Sequence, residues 1–228
     1  MKDQLREFDI DGVHYRVDDF GVVHQDPPVV TQVYDREYVA SRYDVIPEKV
    51  REMSMLRIGW LVGAIRCFDS VLDVGYGNGD FLAAFGMWPG WNVNRYGSDI
   101  SGYPLPDGCY GGTLRGQSIL LPDPDSLVMT LFDSLEHIPD LGFIEEIGAK
   151  WIAITAPWYP GPAKFAEWKH RRPGEHLHHF TPESLMRFMR NCEYKAEIIG
   201  ETLEDALRPP DAGMEHNTFT ALYRRGRY

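Results

Sequence analysis

The chain has 228 residues, 43% of them hydrophobic, and carries 34 acidic against 23 basic side chains for a formal charge of −11. That balance repels phosphate backbones over most of the surface, so a nucleic-acid partner is not expected. The length fits one α/β domain with an extension, and no run of about 18 apolar residues is present, so no membrane span is expected either.

The opening residues, Met1-Lys-Asp-Gln-Leu-Arg-Glu7, lack the apolar centre of a signal peptide. Residues 7–24 read as a small β element, with Asp11-Gly12 as a hairpin turn and Pro27-Pro28 ending the last piece. Residues 34–43 read as one short helix. Pro47 suits a first helical turn and opens a longer helix to about Cys67, with Val50, Met53, Leu56, Ile58 and Leu61 among its apolar residues.

The core then begins. Val71-Leu-Asp-Val74 reads as a short buried strand, Gly75, Gly77 and Gly79 as a turn, and Phe81-Leu-Ala-Ala-Phe85 as the start of a helix. Glycine lets a backbone take positive φ and approach a ligand with no Cβ in the way. A dinucleotide loop has glycine at its first, third and sixth positions. Here the sixth position is Asp80, so the third glycine comes one residue early.

A second strand is expected over residues 93–98, followed by Asp99. A carboxylate there can accept two hydrogen bonds from a vicinal diol, or can simply close the turn Asp99-Ile-Ser-Gly102. The prolines and glycines of residues 100–118 cannot sustain a helix. A short strand is expected at 109–114 or 118–121. Residues 126–133 form the next strand, which runs into Ser134-Leu-Glu-His-Ile-Pro-Asp140. A helix over 141–147 and a strand over 150–157 follow. Strands alternating with helices imply a doubly wound, mostly parallel sheet with its sites at the strand C-termini. Residues 158–180 are loop-rich, aromatic and basic, and include His176, His178 and His179. Thr181 as N-cap and Pro182 in the first turn start a helix to Asn191. Strands over 194–200 and 218–224 close the chain. Cys67, Cys109 and Cys192 stand far apart, giving neither a disulfide framework nor a CxxC metal site, so a reducing, cytoplasmic setting is expected.

The run Asp73-x-Gly75-x-Gly77-x-Gly79, set between Val71-Leu-Asp-Val and Asp80-Phe-Leu, resembles motif I of class I S-adenosylmethionine-dependent methyltransferases. Asp99 and the segment Phe132-Asp-Ser-Leu-Glu-His-Ile-Pro139, similar to the family's Asp-x-Leu-Glu-His run, follow in the same order. The resemblance covers residues 70–225. It implies a Rossmann-like, seven-stranded methyltransferase domain at 70–228 whose last strand is antiparallel, with residues 1–69 as an accessory hairpin and helices. It implies S-adenosylmethionine as cofactor, bound by Gly75, Gly77, Gly79 and Asp99, with Asp73 holding the loop or the methionine amino group and Asp133 facing the site. His137 would be a general base beside Glu136, because imidazole titrates near neutrality; both could instead pin neighbouring loops. Gln117 or Ser118 would meet the adenine amino group.

Gly21-Val-Val-His-Gln-Asp-Pro27 and Tyr34-x-x-x-Tyr38 are similar to segments of the family's sugar and small-molecule branch, where they follow a zinc ribbon. The ribbon cysteines are missing, so residues 7–24 are either a metal-free remnant or a plain hairpin cover. The expected acceptor is an oxygen, nitrogen or carbon of a small molecule or sugar, with no bound metal. Two alternatives stay open. The short 100–118 stretch is compatible with a degenerate, non-catalytic binding or assembly protein. Asp133-x-x-Glu136-His137 with one of His176, His178 and His179 also resembles the metal-binding set of small-RNA 2′-O-methyltransferases.

Overall fold

The computed structural model describes residues 6–88, 92–112, 123–210 and 212–226. Its N-terminal part is an antiparallel meander of β1 (Glu7–Ile10), β2 (Val13–Val17) and β3 (Val23–Gln25). Asp11 and Gly12 carry the hairpin at φ of 52° and 76°, as a two-residue primed turn requires. Next comes α1 (Arg36–Val39), whose N-cap Asp35 accepts the Tyr38 amide at 2.8 Å. The stretch expected as one helix changes pitch here, because Ala40–Asp44 forms a wider π turn. Then α2 (Pro47–Ala64) begins on its proline and ends before Ile65, which is extended.

The central sheet follows. Its strands β4 (Ser70–Val74), β5 (Asn94–Ser98), β6 (Cys109–Gly111), β7 (Leu127–Phe132) and β8 (Trp151–Pro157) are parallel, with α3 (Asp80–Gly86) after β4 and α4 (Phe143–Ile147) after β7. No helix follows β5, as the prolines and glycines there dictate, and the third strand is the three-residue β6. Gln117 and Ser118 lie outside the described residues.

After β8 come α5 (Pro162–Phe165) and β9 (His178–His179), which pairs with β3 and so joins the N-terminal meander to the core chain. The N-cap Thr181 and Ser184 form a reciprocal capping box that starts α6 (Pro182–Asn191). Strands β10 (Tyr194–Glu201) and β11 (Thr218–Arg225) close the sheet, β11 running antiparallel between β8 and β10. The order is β10-β11-β8-β7-β4-β5-β6.

Both faces of this sheet are covered, which is why β4 and β7 read as continuous apolar runs. Val71 and Val128 pack with Ile58, Leu61 and Phe85 from α2 and α3. Their neighbours Leu72, Leu127 and Met129 pack on the other face with Ile144, Leu185 and Met189 from α4 and α6. Helix α2 therefore shares a core with the sheet and is held rigidly beside the C-terminal ends of β4 and β7. Among the described residues, no helix is long and apolar enough to cross a membrane.

Candidate active site

At the end of β4 the chain turns through Gly75, Gly77 and Gly79, at φ of 77°, 56° and 78°. The Gly75 amide donates to the Ser98 carbonyl at 2.7 Å, tying the loop to β5. A Cβ on Gly75 would lie 2.5 Å from the Ser134 Cβ, and one on Gly79 would lie 2.7 Å from Pro106. These glycines therefore serve a close backbone approach as well as an unusual φ. Ser134 completes the tie, its hydroxyl donating to the Val74 carbonyl at 2.6 Å.

Asp99 stands at the end of β5. Its Oδ2 accepts the Gly77 amide at 2.9 Å and its Oδ1 accepts the Ser101 amide at 2.8 Å. Asp73 is buried, and the Thr130 hydroxyl donates to it at 2.6 Å. Burial pushes its carboxyl up to about 6, against the pull of Thr130 and Arg57.

Between the glycine loop and the N-terminal helices lies a cavity of about 360 Å³. Asp73, Gly75, Gly77, Phe132 and Asp133 line one side, and Tyr43, Ile46, Val50, Met53 and Arg57 the other. The N-terminal segment is fastened over it by polar contacts. Asn78 donates to Asp44 at 3.3 Å, the Tyr103 hydroxyl donates to Asp44 at 2.7 Å, and Arg51 grips Asp80 at 2.6 Å.

Asp133 follows β7 at a positive φ of 57°, a conformation uncommon outside glycine. Its carboxylate accepts from Arg57 at 2.7 Å and from Arg208 at 2.7 Å, while both arginines also bind buried Glu204. Burial alone would raise the Asp133 carboxyl, but Arg208 and Arg57 outweigh it and hold the group well below the usual carboxylate range. Sequence reading missed Arg57, Glu204 and Arg208. They come from α2 and from the β10–β11 connection, and only tertiary folding brings them together.

Glu136 and His137, on the turn after Asp133, do not line this cavity. The His137 Nδ1 lies 2.8 Å from the Glu175 carbonyl and 2.8 Å from the Tyr34 hydroxyl. A carbonyl only accepts, so we assign the proton to Nδ1, leaving Nε2 bare. That nitrogen faces Glu136 at 3.8 Å, and the His137 ring meets the His176 ring at 4.6 Å between centroids. One atom from each of Glu136, His137 and His176 lies within 4.8 Å of the others, the arrangement of a metal-ligand set. Glu136 Oε2 and His176 Nδ1 are buried and have no partner among the described residues. Burial, then the nearby Asp133 charge, pushes Glu136 well up, and burial beside His137 pushes His176 down to about 2. His178 is turned away, bonding His24 at 2.7 Å and the Ile138 carbonyl at 2.9 Å. His179 sits among the rings of Tyr15, Phe165 and Trp168.

No family model and no curated protein matches the chain. Solved structures do. A chain of the Haloferax volcanii complex between the Trm112 methyltransferase activator and its methyltransferase aligns with a TM-score of 0.59 at 14% identity, over 86% of this chain and 100% of that one. The Burkholderia thailandensis 1,6-didemethyltoxoflavin-N1-methyltransferase, solved with 1,6-didemethyltoxoflavin and S-adenosylhomocysteine, aligns at 0.53 and 13% identity over 97% and 100%. The chain has the class I methyltransferase fold. Another structure with this likeness is the cyclase SpnF, at 0.51 and 12% identity over 88% and 99%.

In this methyltransferase fold the glycine cradle is the most constrained part of the cavity. Gly75→Ala should lower the unfolding free energy by about 2 kcal/mol, through positive-φ strain and the clash with Ser134. Gly59→Ala, in α2 where a new Cβ meets nothing within 4 Å, should not destabilise. Urea unfolding of the two variants checks this. Equal midpoints would remove the argument for close approach.

Proposed function

We propose that the chain is an S-adenosylmethionine-dependent methyltransferase acting on an oxygen, nitrogen or carbon of a small-molecule or sugar acceptor. The observation that carries this reading is the glycine loop, whose Gly75 and Gly77 line the cavity beside the buried Asp73 carboxyl. S-adenosylmethionine, when bound, supplies an electrophilic methyl group on a sulfonium.

The chain's own residues then bind, orient and move a proton. Asp73 takes the amino group, and Gly75 and Gly77 present backbone at the cavity wall, while Gly79 packs on Pro106 and shapes the turn. Asp99 lies behind the Gly77 amide rather than on the cavity wall, and its carboxylate keeps lone pairs beyond its two backbone bonds for a ribose diol that reaches past the loop. Asp133, held ionised and in place by its arginines, fixes the cavity wall at the end of β7. His137, held through Nδ1 by the Glu175 carbonyl and Tyr34, keeps Nε2 open toward Glu136 but stands outside the cavity, so its role as base needs an acceptor that extends past Asp133. Positioning and exclusion of water supply the rest of the acceleration.

Calorimetry with S-adenosylmethionine and S-adenosylhomocysteine tests the reading, and no binding at millimolar ligand would sink it. Asp99→Ala should cost about tenfold or more in affinity, since two hydrogen bonds to a charged acceptor are lost; unchanged affinity would refute the ribose role.

The buried Asp73 makes binding pH-dependent. Its carboxyl, raised to about 6, is protonated below that pH and ionised above it. A cationic amino group prefers the ionised form. Affinity should therefore be level above about pH 6 and fall about tenfold per pH unit below it. Asp73→Asn should bind weakly and show no such break, and a break surviving in that variant would assign the effect elsewhere.

A second reading, metal-assisted transfer to a hydroxyl, is favoured by the convergence of Glu136, His137 and His176. A divalent cation would satisfy the unpartnered Glu136 Oε2 and His176 Nδ1, and the Glu175 carbonyl on His137 Nδ1 is the support a ligating imidazole needs. The formal charge of −11 disfavours RNA as that acceptor. Zinc or manganese titration followed by metal analysis should give about one ion per chain, lost in His176→Ala. Retention of metal by that variant, or none in the wild type, rules this reading out.

A further inference from the structure

The cavity wall that carries Arg208 holds a donor that no described residue uses. Arg57 engages both the atoms on one edge of its guanidinium, Nε with Glu204 at 2.6 Å and Nη2 with Asp133 at 2.7 Å. Its ring-like plane also lies 4.7 Å from the Phe132 centroid. Arg208 is different. All of its bonds leave from Nη2, to both oxygens of Asp133 at 2.7 Å and to Glu204. Its Nε is buried and has no acceptor among the described residues. A buried, charged N–H without an acceptor is costly, and a single carboxylate oxygen is the acceptor that suits it.

Reach and charge agree with this. Arg208 lines the cavity, and a third of its side chain is exposed (33%). Its backbone is held by Asn217, whose amide donates to the Arg208 carbonyl at 3.2 Å, so only the side chain has to adjust. The two arginines balance Asp133 and Glu204, which leaves the group neutral and able to accept one more negative charge. Beside Arg208 the rim turns apolar, with Ile46, Met53 and Leu207.

We propose that Arg208 binds the carboxylate of a ligand in this cavity, with the ligand's apolar body lying against Ile46, Met53 and Leu207. The proposal rests on the methyltransferase reading and deepens it. Such a carboxylate comes from one of two sources: the amino-acid end of the methyl donor, or an acidic acceptor.

Calorimetry on the full chain separates them, using Arg208→Gln and Arg208→Lys. The lysine variant keeps a cation against Asp133 and Glu204 but has no Nε–H, so it carries the test if the glutamine variant does not fold. If the donor's carboxylate is bound, both variants should lose about tenfold or more in affinity for S-adenosylmethionine, and none for its decarboxylated form. If an acceptor's carboxylate is bound, affinity for S-adenosylmethionine should persist. The wild type saturated with S-adenosylhomocysteine should then prefer hexanoate over hexanamide by about tenfold, and the variants should not. Arg208 variants that bind the donor normally and show the same hexanoate-to-hexanamide ratio as wild type overturn the proposal. A wild type that binds no donor defeats the methyltransferase reading instead, and the hexanoate preference of the free protein then decides the role of Arg208 separately.

Discussion

Where β4 ends, the backbone at Gly75 passes so close to Ser134 that no side chain fits between them, and the shape of the cavity follows from that approach. Three hydrogen bonds hold it there. The Gly75 amide reaches the Ser98 carbonyl, the Gly77 amide reaches Asp99, and the Ser134 hydroxyl reaches the Val74 carbonyl. They join the ends of β4, β5 and β7, three parallel neighbours whose register already brings their C-termini level. The cavity therefore draws Asp73 from β4 and Phe132 and Asp133 from the end of β7, with β5 bracing the loop from behind. This is the general advantage of a parallel sheet: rigid strands aim short loops at one edge.

Above that floor the stabilising logic changes from packing to charge. Arg57, Asp133, Glu204 and Arg208 come from α2, from the end of β7 and from the β10–β11 connection. Glu204 is fully buried, and Arg57 and Asp133 have little exposure. Such a group adds little net stability compared with apolar residues of the same volume, because each charge first gives up its water. Removal of one member strands its partners, at a cost of about 3–5 kcal/mol. The group is thus better understood as fixing position than as cementing the fold. It holds Asp133 in its positive-φ conformation and sets the distance between α2 and the sheet edge, which is the width of the cavity.

The fold was largely legible because it is written in local patterns. Glycine at alternate positions after Val71-Leu-Asp-Val, the Asp11-Gly12 turn and Thr181-Pro182 each determine structure within a few residues. The missing helix after β5 was legible for the same reason, since prolines and glycines forbid it locally. The π turn at Ala40–Asp44 was not, because nothing in those five residues marks a change of pitch, and contact with the loops beneath decides it. The candidate site divides along the same line. Asp73, the glycines, Asp99 and Asp133 sit on short motifs at strand ends. Arg57, Glu204 and Arg208 have no motif, and pairing across 147 positions leaves no trace in spacing. Among three neighbouring histidines, only strand pairing decides direction. His178 and His179 enter β9 and face opposite sides, and His176, just before it, is left pointing at Glu136 and His137.

That division bears on function. The methyltransferase fold is shared with structures that methylate and with SpnF, whose reaction is a cyclisation. The fold alone therefore does not name the reaction, which lives in the site built on it. That site has parts that only tertiary structure assembles. In this chain those parts are two and lie on opposite sides of Asp133: the arginine group lining the cavity, and Glu136, His137 and His176 behind it. One offers balanced charges and a spare N–H. The other offers a carboxyl whose proton affinity burial raises and imidazoles whose proton affinity burial lowers. Asp133 touches the first by hydrogen bonds and raises Glu136 in the second through space.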